Sequence, residues 1–163
     1  MPPQPDANVI KCFTDGSSIG NSGPAHLRKA GYACVFPDYR DHSFAAKLDG
    51  ERTNNRAELM AVIKALDIAD EIDPGRKTLL FIYTDSELVI NSATKWLMGW
   101  KRHGWRKSDG KGVMNKDLLI MLDERMQKRR MTMKHVRAHT GGKDWESIWN
   151  NAADKLAQSA ARL

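Results

Sequence analysis

The chain has 163 residues, 41% hydrophobic and 28% charged, the composition of a globular protein of about one domain with a core of its own. It holds no apolar run near the ~18 residues of a membrane span, no basic and apolar leader, and too few cysteines (Cys12 and Cys34, both in apolar runs) for a disulfide framework or a zinc site. The net charge of +6 is local: residues 95–116 hold seven Lys and Arg against one Asp, which accounts for the whole excess.

Residues 1–7 are expected to be a frayed N-terminus and residues 8–163 one domain, in the cytoplasm or, in a eukaryote, the nucleus. Residues 9–14 are a β-rich apolar run that ends at Asp15 and predicts a strand. Residues 16–24, dense in Gly, Ser and Asn, have the chemistry of a turn. A second strand over 31–36 is stopped by Pro37, and a weaker third covers about 43–48, which together suggest an antiparallel meander. Asn54 or Asn55 reads as the N-cap of a helix whose apolar positions Leu59, Val62, Ile63, Leu66 and Ile68 run to about Ile72. Asp73-Pro74-Gly75 ends it. The nearly all-apolar run 78–84 predicts a central strand covered on both faces. Asp85-Ser86 opens a short helix over about 87–95, followed by the basic segment, a helix over 115–129, a strand over 131–136 and an Ala-rich terminal helix over 150–163. This order predicts an α/β fold with one mixed sheet and helices on its faces.

The basic segment also carries Trp96, Trp100 and Trp105, three of the chain's five tryptophans. A merely solvated face rarely spends aromatics this way. Rings among cations suit a polyanion whose sugars or bases stack while its phosphates meet Lys and Arg.

Two strands end alike, at Thr14-Asp15-Gly16 and Thr84-Asp85-Ser86. If they are parallel neighbours about 4.8 Å apart, both Asp side chains reach one cation. Glu58 is placed one turn into the first long helix and Asp154 one turn into the last. Taken singly, these acids are ordinary turn or helix-start residues. Together they repel one another and need a divalent cation, and an all-oxygen donor set favours Mg²⁺ or Mn²⁺. Two such ions about 4 Å apart clamp the attacking and leaving oxygens of a phosphodiester. His139, in the loop His139-Thr140-Gly141-Gly142, is the proton-transfer or product-release candidate.

Thr14-Asp15-Gly16-Ser17, Thr53-Asn54-Asn55-Arg56-Ala57-Glu58-Leu59, Thr84-Asp85-Ser86, the basic segment with Trp96, Trp100 and Trp105, and Val136-Arg137-Ala138-His139-Thr140-Gly141 with Asp154 resemble type 1 ribonuclease H. The resemblance implies a ribonuclease H-like fold, a five-stranded mixed sheet flanked by helices. It implies a monomer that hydrolyses the RNA strand of RNA–DNA hybrids and leaves 5′-phosphate and 3′-hydroxyl ends. It makes Asp15, Glu58, Asp85 and Asp154 ligands of a probable pair of Mg²⁺ ions, with Mn²⁺ as substitute, and His139 the auxiliary catalytic residue. Gly16, Ser17, Asn21, Asn54 and Asn55 match positions near the scissile site, and Thr53 and Asn115 match positions that hold a DNA phosphate. Trp96, Lys101, Arg102, Arg106 and Lys107 match a protrusion that grips the DNA strand. Two departures stand out: Glu87 replaces the Gln of many relatives, and His139 and Asp154 are fifteen positions apart where bacterial members often have about ten. The extra residues, 143–147, are expected to lengthen the loop that carries His139. The rival readings are a catalytically silent hybrid-binding module, which the full set of acids disfavours, and another nuclease of this fold, which the Thr53–Glu58 motif and the basic segment disfavour.

Overall fold

The computed structural model describes residues 6–20, 23–139 and 141–163. Most of the expected frayed end and Asn21 lie outside the described residues. Five strands, β1 (Val9–Ile19), β2 (Lys29–Val35), β3 (Phe44–Lys47), β4 (Leu79–Thr84) and β5 (Met131–His135), form one sheet in the order β3-β2-β1-β4-β5. The meander β1-β2-β3 is antiparallel, and β4 and β5 run parallel to β1. The mixed α/β sheet expected from the element order is present.

Strand β1 continues to Ile19, well past the expected end at Thr14. Residues 15–19 pair with β2 from Asp15↔Ala33 to Ile19↔Lys29, so a neighbouring strand supplies the hydrogen bonds that turn-forming side chains would otherwise satisfy locally. Along β1, Ile10 and Cys12 face helix α1 (Asn54–Ile72), packing with Val62, Ile63 and Leu66. Phe13 faces the other way, toward Ala153 and Trp145 of α5 (Trp145–Ala161). The strand's period of two thus divides the core between two helices on opposite faces.

Thr53, and neither Asn54 nor Asn55, is the N-cap of α1: its Oγ1 accepts the Arg56 N–H at 3.2 Å, which leaves both Asn side chains exposed in the first turn. After β4, Ser86 caps α2 (Glu87–Asn91), a π-helical turn follows over Ser92–Trp96, and α3 (Leu97–Arg102) continues without a break. The helix expected to stop near 95 therefore runs into the basic segment. Leu97, Trp100 and Trp105 pack it against the core, where burial outweighs the intrinsic cost of Gly99. Helix α4 spans Lys116–Met126.

The largest correction concerns α5. It starts at Trp145, five residues before the expected Asn150, with Asp144 as N-cap accepting the Ser147 N–H at 3.2 Å. The extra residues near 145 are helix, not loop. Asp154 accordingly sits in mid-helix, where no helix end compensates its charge.

Candidate active site

The parallel register aligns Phe13 with Tyr83, so Asp15 and Asp85, each two residues further on, come level at the same end of the sheet. Glu58 reaches them because α1 crosses close behind β1. A Cβ at Gly16 would stand 2.4 Å from the Glu58 backbone nitrogen, so only glycine permits this approach. One carboxylate oxygen from each of Asp15, Glu58 and Asp85 lies within 4.8 Å of the others. Asp154 reaches the group from α5 and shares a hydrogen bond with Asp15. Its Oδ2 accepts from Gln158 Nε2 at 3.0 Å and lies 3.7 Å from His139 Nδ1. His139 is an exposed ring on a left-handed backbone, φ 53°, a sparsely populated conformation for a side-chain-bearing residue. The four acids and the histidine expected from the sequence are thus brought together.

The electrostatics of this cluster are costly. Burial, followed by the charges of Glu58 and Asp85, pushes the Asp15 carboxyl up to about 11. Burial and the Asp85 charge push Glu58 up to about 8, although the Gly16 N–H donates to it and works the other way. Asp15 Oδ2 and Glu58 Oε2 are buried without a hydrogen-bond partner. Buried carboxylate oxygens left unpaired cost stability unless a charge of opposite sign meets them. The site therefore fits a metal cation, and the hard oxygen donors suit one of the Mg²⁺ class.

Around the cluster, Gly16 and Ser17 continue β1 just past Asp15. Thr53, Asn54 and Asn55 line the start of α1. Asn115 stands at the N-terminus of α4 in a left-handed conformation, φ 62°, and its side chain does not cap the helix. Arg56 joins the two helix starts: Nη1 donates to Asn115 Oδ1 at 3.4 Å, and the guanidinium grips Asp117 at 2.9 and 2.7 Å.

The basic segment folds as a protrusion. Its groove, about 860 Å³, is lined by Lys95, Trp96, Trp100, His103, Arg106 and Lys107, among others. Trp96, 40% exposed, lies 5.8 Å from Trp100, which packs inward. The cations are not equivalent. Lys101 is tied to Asp123 at 2.8 Å, and Arg106 donates to the Gly110 carbonyl at 3.1 Å. Arg102 and Lys107 are exposed, and their side chains have no partner among the described residues.

The RNase H family model matches residues 7–162. The chain belongs to the RNase H family. Ribonuclease HI of Haemophilus influenzae is 37% identical over 153 residues, 93% of this chain and 89% of that protein. Among solved structures, the PFV RNase H domain is 26% identical with a TM-score of 0.75, covering 94% of both chains. LC11-RNase H1, solved in complex with an RNA/DNA hybrid, shares the fold at 24% identity and a TM-score of 0.66, covering 94% of this chain and 96% of that one.

Within this RNase H chain, sequence reasoning missed three residues at the site. Asn150, one turn before Asp154, is 1% exposed with an unpartnered Oδ1. Gln158, one turn after, holds Asp154. Both stand at i ± 4 from Asp154, the spacing that shares a helix face, so that periodicity was the available signal. Trp145 had no such signal, because its partners are distant in sequence. No helix among the described residues is long and apolar enough to cross a membrane.

Proposed function

We propose that this chain is a type 1 ribonuclease H, an endonuclease that hydrolyses the RNA strand of RNA–DNA hybrids to 5′-phosphate and 3′-hydroxyl ends. The observation that carries the reading is the convergence of Asp15, Glu58 and Asp85 within 4.8 Å, with Asp154 beside them, in a chain of this family.

In this reading Asp15, Glu58, Asp85 and Asp154 hold two Mg²⁺ ions, for which Mn²⁺ substitutes. Bound there, the ions supply Lewis-acid activation of water and neutralisation of the charge that builds on the scissile phosphate. The chain's own residues set the geometry. The four carboxylates fix the site from four elements, and burial keeps solvent from screening them. His139, beside Asp154, takes a proton near the attacking water or helps the product leave. Gly16, Asn54 and Asn55 offer backbone and amide groups for a 2′-hydroxyl, the mark that separates RNA from DNA. Thr53 and Asn115 hold a DNA phosphate. Trp96, Lys101, Arg102, Arg106 and Lys107 grip the DNA backbone without reading its bases.

Residues 8–163 act as one domain and as a monomer. The two buried free thiols, Cys12 and Cys34, suit a reducing compartment such as the cytoplasm or the nucleus. A labelled-strand assay tests the reading. With Mg²⁺ the RNA of an RNA–DNA duplex is cut, RNA–RNA and DNA–DNA duplexes are not, and EDTA stops the reaction. Hybrid binding without cleavage under any divalent ion would overturn the proposal in favour of a silent binding module.

A further inference from the structure

Two aromatic rings stand directly behind the carboxylates. Phe13 and Tyr83 are register partners on β1 and β4, and they stack with centroids 4.4 Å apart and planes 9° apart. Each is two residues ahead of an acid on its own strand, Phe13 before Asp15 and Tyr83 before Asp85. A third ring, Trp145, meets both edge-on, at 5.2 Å and 67° to Phe13 and at 5.5 Å and 75° to Tyr83. Trp145 is the first residue of α5, the helix that carries Asp154. Beside it, Glu146 pairs with Lys134 of β5, a second tie between the same helix end and the sheet.

Helix α5 has one other close anchor. Near its C-terminal end Gly31 of β2 lets the helix backbone lie against the strand: a Cβ there would stand 2.4 Å from Ala161 N and 2.6 Å from Ala157 O. Asp154 lies between the two anchors. Released at Trp145, the helix pivots on the Gly31 contact. Asp154 is three residues, about 4.5 Å, from Ala157, so a tilt of about 10° shifts it by about 0.8 Å. Displacement near 1 Å in a catalytic constellation costs up to about 100-fold in rate.

We infer that Trp145 is a positioning residue, which locks the strand pair bearing Asp15 and Asp85 to the helix bearing Asp154. The inference rests on the proposed function of this site. Edge-to-face contact with two rings at once is directional and worth more than the area it buries, so a side chain that only fills the space does not replace it.

The test compares Trp145→Ala, Trp145→Leu and Trp145→Phe with the wild type. It reads kcat and KM on an RNA–DNA hybrid, Mn²⁺ affinity by calorimetry without nucleic acid, and Tm. At a temperature where each variant is folded, Trp145→Leu is expected to lose about tenfold or more in kcat and several-fold in Mn²⁺ affinity, with KM for the hybrid unchanged. Trp145→Ala loses at least as much, and if it does not fold the leucine variant alone decides. Trp145→Phe restores most of both quantities. A leucine variant with wild-type kcat and Mn²⁺ affinity, whatever its Tm, would overturn the inference and leave Trp145 as core packing. So would a loss confined to KM. A wild-type protein that neither binds Mn²⁺ nor cuts the hybrid would instead overturn the function proposed above.

Discussion

At the scale of single residues, the site trades stability for chemistry. Asp15 and Glu58 are buried acids that stay protonated near neutrality when no cation is bound, with carboxyls raised to about 11 and about 8. The unfolded chain releases these protons near pH 4, whereas the native chain keeps them, so native stability falls as pH rises above that point. In EDTA, the urea midpoint is therefore expected to drop between pH 5.5 and pH 8, and Mg²⁺ is expected to flatten that slope. Asp117, held down to about 2 by Arg56, contributes the opposite trend only below pH 4. By the same logic Asp15→Asn removes a charge that the fold tolerates poorly. Asp15→Asn, Asp85→Asn and Glu58→Gln are each expected to abolish cleavage and keep hybrid binding in a gel-shift assay. Asp15→Asn should also raise the metal-free Tm. Full cleavage by any of the three would refute the assignment of that residue. His139→Ala should slow turnover without ending it, since the ring stands outside the four-carboxylate set.

At the scale of elements, what the sequence made legible follows from how local each cause is. The central strand 78–84 and helix 54–72 announce themselves through their own side chains, a short apolar run and a 3.6-residue apolar stripe, and both were placed to within about a residue. The far half of β1 was not legible, because Ser17 and Ser18 are strand residues only by virtue of β2. The first turns of α5 were hidden for the same reason: Trp145 and Trp149 pay for their helical conformation through contacts with Phe13, Tyr83 and Arg40, all from distant parts of the chain. Motif residues predicted which acids meet, since side-chain type alone limits who can bind a cation. Their support, Gln158, Asn150 and the glycine contact behind Glu58, needed coordinates. Gly16→Ala tests that support. Its Cβ would press on the backbone of Ala57 and Glu58 at 2.4–2.8 Å, so α1 must retreat from β1. Overpacking of this kind costs about 1–3 kcal/mol, and Glu58 moves with the helix. A lower Tm together with a larger fall in kcat than in hybrid affinity is the expected result.

At the scale of the whole molecule, positive charge and catalytic acids occupy different parts of one surface feature, the sheet end and its protrusion. Affinity for hybrid is expected to come mainly from the cations and to fall steeply with salt. The structure sorts those cations. Arg102 and Lys107 are free to meet phosphates, whereas Lys101 already spends its charge on Asp123. Neutralising Lys101, Arg102, Arg106 and Lys107 together should raise KM more than it lowers kcat and reduce the slope of log affinity against log salt. Arg102→Gln with Lys107→Gln should account for most of that reduction, up to about two, and Lys101→Gln for little. An unchanged slope in the fourfold variant would remove the protrusion from the binding surface.

The unbroken helical path from the Asp85 end of β4 into the protrusion has a consequence for how much duplex the protein must cover. Residues 87–102 rise about 24 Å from end to end, the length of about seven base pairs. The point of cutting and the point of grip are built on one stiff rod and keep a set separation, as marks on a ruler do. A heteroduplex shorter than that interval occupies one mark at a time, whereas a longer one is held at both, and the ruler rather than the base sequence then decides which linkage is presented.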